Sequence, residues 1–391
     1  MEDQKLVYMD HAATTAVHPE VVQAMIPYLH NHFGNPSSIY SIAREAKEAI
    51  DSARAKVALS LLTKPDEIFF TSGGTESDNW AIKGVAFANR KRGDHIITSK
   101  IEHHAVLHTC QYLEKQGFNV TYLPVDRYGL VDPGELERAI TGKTTLVSVM
   151  YANNEIGTIE PLKELASITH EHGAYFHTDA VQAVGHIPIS VDNTGIDLLS
   201  LSGHKFNGPK GTGALYIRKG VRIDNILHGG AQERNRRAGT ENLAGIVGMG
   251  KAIEIATAGL GEKGARIRAM RDRLISGIQE LIPHTRLNGH PSQRLPGNLN
   301  ISFEFIEGES MLLLLDSFGI CASTGSACTS GSLEPSHVLL ATGMPAEIAH
   351  GSLRLTLDVE NTDEEVEYVL RTLPKVVSRL REMSPLGKQA T

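Results

Sequence analysis

Four groups of residues have the types and spacing for chemistry on a bound carbonyl compound. The first centres on Lys205, in Ser202-Gly203-His204-Lys205-Phe206, between an apolar run at 197–201 and the glycine-rich GPKGTG. A lysine in a tight loop at a strand end can hold a carbonyl cofactor as a Schiff base, because burial depresses its pKa and frees the amine as a nucleophile. Taken alone, the loop is better read as a surface lysine in a hairpin, with GPKGTG as a turn. The second centres on Asp179, which follows the apolar run 174–177 in Thr178-Asp179-Ala180-Val181-Gln182. An acid at the carboxyl end of a parallel strand stands where open α/β sheets bind ligands. It can keep a pyridinium nitrogen protonated, so that the ring acts as an electron sink. By itself Asp179 could as well be a helix N-cap.

The third group, Thr71-Ser72-Gly73-Gly74-Thr75-Glu76, follows an apolar run and opens a helical pattern. Small residues such as Gly74 and Thr75 at a helix N-terminus expose backbone N–H groups to a phosphate. The lysine and spacing of a nucleotide P-loop are missing. The fourth is Glu102-His103-His104, after the run 95–98. A histidine there can stack on a planar cofactor and move protons. His104 and His108 have the spacing of two metal ligands on one helix face. The acid of the metalloprotease pattern is absent, since Ala105 follows His104, and no metal is expected.

The elements that must position these groups alternate. Runs of strand length at 68–71, 95–98, 120–123, 145–150, 174–177, 197–201 and 213–217 are separated by helical stretches. In 38–61, for example, Ala46, Ala49, Ile50, Ala53 and Val57 share one helical face. Alternating strands and helices imply an α/β architecture with a mostly parallel sheet covered on both faces. After about residue 261 a charged helix (262–281) leads to a strand at 299–303 and a short apolar helix, with 311–315 as a buried helical segment. A Gly/Ser-rich loop follows, then a final amphipathic helix near Thr362, where Thr362 and Glu365 have capping-box spacing. The expected division is a large domain at 15–260 and a smaller α+β domain made of 1–14 and 261–391.

A chain of 391 residues exceeds one compact core, which agrees with two packed domains. The net charge of −7 disfavours a nucleic-acid backbone or an anionic membrane as the main partner. No apolar run approaches the ~18 residues of a membrane span, and the N-terminus has no signal-like pattern, so a cytoplasmic location is expected. Three cysteines do not make a disulfide framework and suit a reducing compartment. Cys110 and Cys321 read as small buried hydrophobes. An oxidised pair between Cys321 and Cys328 is the alternative for Cys321.

In this order, the phosphate cup, the stacking His103, Asp179 with Gln182, and SGHK at 202–205 resemble a fold-type I pyridoxal-phosphate enzyme of the class V aminotransferase group. Ser323-Thr324-Gly325-Ser326-Ala327-Cys328-Thr329-Ser330 is similar to the cysteine-bearing loop of group I cysteine desulfurases, the type serving nitrogenase and iron–sulfur cluster assembly. MDHAATT near the N-terminus, GNPSS at 34–38, ANNEIGTIEP at 152–161 and RRAGTEN at 236–242 extend the likeness end to end. One departure is His104, where many relatives carry lysine.

The resemblance implies a large cofactor domain with a mostly parallel seven-stranded sheet between helices, and a smaller domain carrying the cysteine loop at about 321–335. It implies that Lys205 carries pyridoxal 5'-phosphate and moves the substrate Cα proton. Asp179 would pair with the pyridine nitrogen, Gln182 with the phenolic oxygen, and His103 would stack on the ring. Gly74, Thr75, Ser202 and His204 match phosphate contacts. Thr240 matches one supplied by the neighbouring subunit of a homodimer. Asn154 matches a position near cofactor and substrate, Arg354 the arginine that grips the substrate carboxylate, and Asn35 a second contact to it. The implied reaction takes sulfur from L-cysteine as a persulfide on Cys328, leaves L-alanine, and passes the sulfur to an iron–sulfur scaffold or other acceptor protein. Selenocysteine lyase or another class V aminotransferase activity is the near alternative, and a non-catalytic sulfur-relay subunit the distant one.

Overall fold

Segments that are apolar on both sides are stable as strands only with helices over both faces, and the seven apolar runs of the first two thirds of the chain meet that condition in one sheet. The structure is a computed structural model and describes residues 6–324 and 335–384. Its strands, in chain order, are β1 Val7–Tyr8, β2 Ile68–Thr71, β3 His95–Ser99, β4 Asn119–Leu123, β5 Thr144–Ser148, β6 Tyr175–Asp179, β7 Leu198–Ser202, β8 Gly213–Ile217, β9 Thr285–Asn288, β10 Asn298–Phe303, β11 Ile320–Cys321 and β12 Ser352–Thr356.

The large sheet has seven strands in the order β2-β8-β7-β6-β5-β3-β4. From β4 to β7 all neighbours are parallel, and β8 lies antiparallel between β7 and β2. The carboxyl ends of β2, β3, β5, β6 and β7 therefore share one edge. Side chains alternate between two cores. Ile97, Val147 and Leu199 face helices Ser41–Ser60 and Leu243–Thr257, whereas Ile96, Leu146 and Leu198 face helices Gly74–Asn89 and His104–Lys115. Two strands run past their apolar runs: β6 pairs through Asp179 and β7 through Ser202. Ladder hydrogen bonds are made by backbone and tolerate polar side chains, so a strand that ends in a site outlasts its hydrophobic pattern.

A further core packs the three-stranded antiparallel sheet β12-β10-β9 against helices Leu260–Leu281, Gly308–Ser317 and Asp363–Met383. Val7 and Met9 belong to it, and β1 pairs in parallel with β11. Thr362 and Glu365 form the expected capping box at the last helix. Residues 352–356, which include Arg354, form a strand whose leucines and polar side chains are all buried. The segment 311–315 is not buried throughout: Met311 and Leu315 are, but Leu313 is 74% exposed, because the helix presents a single face to the core. No single helix among the described residues is long and apolar enough to cross a membrane.

Candidate active site at the carboxyl edge of the large sheet

β7 ends at Ser202 and turns at once through Gly203–Lys205. Lys205 Nζ donates to the carbonyls of Ala12, at 2.6 Å, and Ala13, at 2.7 Å. Gln182 Nε2 donates to the same Ala12 carbonyl at 3.0 Å. The N-terminal segment is fixed there because Thr15 N–H donates to His204 O at 3.0 Å and Ala12 N–H to Thr356 Oγ1 at 2.9 Å. Sequence periodicity carries no signal for these carbonyls, since a backbone oxygen has no residue type. Only their place in MDHAATT could have marked them.

Asp179 is 6% exposed and accepts the Val181 N–H at 2.9 Å. Burial pushes its carboxyl up to about 6, against the pull of that N–H and of the Lys205 charge. Two residues earlier on the same strand, His177 is wholly buried between Ser148 Oγ, at 2.8 Å from Nδ1, and Ser200 Oγ, at 3.0 Å from Nε2. Burial holds its pKa near 3, so it stays neutral.

After β2, Gly73 caps helix Gly74–Asn89 with φ +152° and makes no side-chain cap bond. A Cβ on Gly74 would stand 2.6 Å from Val181 Cγ2, and one on Gly213 only 2.6 Å from Gly73 Cα. The glycines thus let the helix N-terminus, Ser202 and the turn after β6 close on one another. First-turn N–H groups without a side-chain cap are donors for an anion. Ser202 is buried beside them and Thr75 is exposed. His204 Nδ1 lies 3.1 Å from Thr14 Oγ1.

His103 caps helix His104–Lys115, its Nδ1 accepting the Ala105 N–H at 3.1 Å. That bond leaves the neutral ring's proton on Nε2. Burial, then the Lys205 charge, lowers the pKa of His103 to about 4. His204 is lowered to about 4 by the same two causes. Neither imidazole is charged at neutral pH.

Arg354 is 3% exposed. Its guanidinium donates to Asp10 Oδ1 at 2.8 Å and to Asn154 O at 3.0 Å, while Nε is buried without a partner. Asp10 lies within MDHAATT, but motif reading did not single it out as the partner of Arg354. Asn35 and Thr240 make none of the hydrogen bonds described above. Asn35 is exposed and holds its own turn by accepting the Ser37 N–H, and Thr240 is exposed in the loop after Arg237. Arg237 pairs with Glu76 of the cup at 2.7 Å, so that loop is tied to the site's edge. Cys328 and residues 325–334 lie outside the described residues. Cys110 is wholly buried, which raises its thiol pKa, and Cys321 is half-buried on β11.

Residues 7–369 match the family described as Aminotransferase class-V. Cysteine desulfurase IscS of Methanosarcina thermophila is 65% identical over 384 residues, covering 98% of this chain and 95% of its own. The chain belongs to the cysteine desulfurases of the class-V aminotransferase family. Cysteine desulfurase IscS of Clostridium botulinum is 59% identical, with 98% and 97% covered. Among solved structures similar to this cysteine desulfurase family member, a NifS-like protein superposes with a TM-score of 0.91 at 42% identity, covering 96% of this chain and 100% of its own. A structure of SspA in complex with cysteine superposes with 0.80 at 37% identity, covering 91% and 100%.

The residues present fit the pyridoxal phosphate that this family implies. The buried Asp179 carboxyl is unfavourable alone and gains from a cationic N–H. An uncapped helix N-terminus, narrowed by Gly74 and Gly213, suits a phosphate. The Lys205 amine lies on the same sheet edge.

Proposed function

We propose that the chain is a pyridoxal-phosphate-dependent cysteine desulfurase that removes sulfur from L-cysteine as a persulfide on Cys328 and releases L-alanine. The observation that carries this reading is the convergence of Lys205, Asp179 and Gln182 on one sheet edge, with the guanidinium of Arg354 held by Asn154 O and its Nε buried and unpartnered. Asp179 and Gln182 would hold the ring, His103 would cover it, and Gly74, Thr75, Ser202 and His204 would hold the phosphate. Bound there, the cofactor supplies an electron sink for charge developing at the substrate Cα.

The remaining work belongs to the chain. Arg354 orients the substrate carboxylate, where a planar guanidinium offers two parallel donors. Asn154 and Asn35 are the further polar groups assigned to substrate. Lys205, once released from Ala12 and Ala13, takes and returns the Cα proton. His103 is neutral with its proton on Nε2, so it can donate without first being charged. The Cys328 thiolate attacks the substrate sulfur: an S–S bond forms, the Cβ–S bond breaks, and Cβ keeps the electron pair and gains a proton. The products are alanine and a persulfide, with no net oxidant.

Within this reading 15–260 is the large domain, and 1–14 with 261–391 the small one. Thr240 reaches the partner's phosphate in a homodimer. The persulfide passes to an iron–sulfur scaffold or similar acceptor in the cytoplasm. The test is alanine and sulfide release from L-cysteine with a reductant, for wild type and Cys328→Ala. The variant should keep its cofactor absorbance and lose both products by at least about a hundredfold, as when a nucleophile is deleted. Full turnover by the variant would instead favour the lyase or aminotransferase reading. A wild type without cofactor absorbance would favour the relay subunit.

A further inference from the structure

Glu76 is the acidic residue in the first turn of helix Gly74–Asn89, where the phosphate cup opens. Its Oε2 accepts the Ser72 N–H at 2.8 Å, so the carboxylate closes on the cup's own backbone. Burial works against its charge, but the hydrogen bonds from Arg237 and Ser72 outweigh burial and hold the carboxyl below the usual carboxylate range. Glu76 is therefore an anion at neutral pH. A helix N-terminus favours an anion, but two held close together repel each other. A phosphate monoester brings a charge of about −1.5 to −2 to the same turn. Left alone, Glu76 would oppose the group that the cup is proposed to hold.

Arg237 meets this charge. Its Nε donates to Glu76 Oε1 at 2.7 Å and a terminal nitrogen to Oε2 at 3.0 Å, a bidentate pair with side chains only 20% and 17% exposed. The loop that brings Arg237 there is strained. Glu233, Arg234 and Asn235 all adopt left-handed backbone, with φ of 42°, 57° and 62°, a region that residues other than glycine enter rarely. Side chains clamp this turn onto the free edge of β2. The buried Glu233 accepts two Arg54 nitrogens at 2.8 Å and the Phe70 N–H at 3.0 Å, and Arg234 donates to Ile68 O at 2.6 Å. β2 runs directly into the cup. One loop thus grips the strand before the cup and, through Arg237, the helical turn after it.

We propose that Arg237 is a positioning residue that cancels the Glu76 charge at the cup, so that the cup accepts a phosphate dianion. Arg237 acts through Glu76 and not by touching the phosphate. The inference rests on the cofactor reading above, with the phosphate at this helix N-terminus.

The test compares the affinity of the cofactor-free enzyme for pyridoxal phosphate and for pyridoxal, which lacks the phosphate, by equilibrium dialysis. Circular dichroism checks that each variant is folded. Arg237→Met removes the cancelling charge. It should weaken pyridoxal phosphate at least about tenfold, through the exposed carboxylate, and leave pyridoxal nearly unchanged. Adding Glu76→Gln removes the repelling charge and keeps an acceptor for the Ser72 N–H. The double variant should return to within about threefold of wild type, a coupling that independent sites do not show. Glu76→Gln alone should bind pyridoxal phosphate at least as tightly as wild type. A double variant as weak as Arg237→Met would mean that Arg237 touches the phosphate itself, and would overturn the proposal. So would an equal loss of pyridoxal in Arg237→Met, which reports a change of shape and not of charge, or weaker binding by Glu76→Gln alone. A wild type that binds the two compounds equally would take the phosphate out of the cup and remove the reading beneath the inference.

Discussion

Arg354 illustrates how much one side chain can carry. It is buried on β12 and, among the described residues, its guanidinium hydrogen-bonds a single carboxylate, Asp10. A guanidinium in that state is poised for a second anion, because its Nε donor is already stripped of water. Arg354→Lys keeps the charge but loses the planar fork. It should lower kcat/KM for L-cysteine by about tenfold, mainly through KM, and Arg354→Leu by about a hundredfold or more. Cofactor absorbance should be retained in both, since the groups assigned to the ring and phosphate are elsewhere. Steady-state kinetics check this, and an unchanged KM in both variants would move the carboxylate site away from Arg354. The histidines make the complementary point. His103, His204 and His177 are all pushed below their usual range by burial, so identity as histidine does not mean charge here.

At the scale of elements, the site is made by strand ends that approach more closely than side chains allow. Where β8 begins, a Cβ on Gly213 would lie 2.6 Å from Gly73 Cα and 2.6 Å from Leu201 O. Both obstacles are backbone and cannot move aside without shifting the cup or the lysine strand. Gly213→Ala should therefore cost about 1–3 kcal/mol, as overpacking does, and weaken cofactor retention more than it disturbs secondary structure. Equilibrium dialysis of the cofactor, beside circular dichroism, measures both effects. Wild-type retention would show that the close approach does not shape the cup. The same scale explains what apolar runs reveal. All seven strands of the large sheet are visible as hydrophobic segments: six are largely buried on both faces, and the edge strand β4 is mostly half-buried. β9 and β1 are not, being short or partly polar, and they form because a partner strand waits for them.

The whole molecule stores buried carboxyls, and this gives its stability a pH slope. Glu102 is wholly buried, accepts Ser99 Oγ at 2.6 Å and Met150 N–H at 3.0 Å, and has one oxygen without a partner. Burial pushes it up to about 8 from an ordinary value of 4.5. Between those values the folded chain holds a proton that the unfolded chain has lost, so this group's contribution to stability falls as pH rises through the window. Below pH 4.5 both states are protonated and the penalty vanishes. Glu102→Gln mimics the protonated form. In the cofactor-free protein it should flatten the decline in unfolding free energy between pH 6 and 9, by at most about 3 kcal/mol. Urea unfolding at the two pH values tests it, and parallel pH dependences for the two proteins would reject the buried-proton account.

Much was settled by the amino-acid sequence alone: the alternation of strands and helices, the capping box at Thr362, and the placing of Lys205, Asp179 and His103 at strand ends. These are local properties, written in the periodicity of burial and in the small residues that a turn or a phosphate cup requires. Tertiary structure decided the rest. Lys205 finds the Ala12 carbonyl across 193 positions and Arg354 finds Asp10 across 344, while Glu155 meets Ser336 across 181. No pattern along the chain marks such pairs. Each is a polar group that burial would penalise alone, and only the packing of the N-terminal segment and the small sheet against the large one brings its partner within reach.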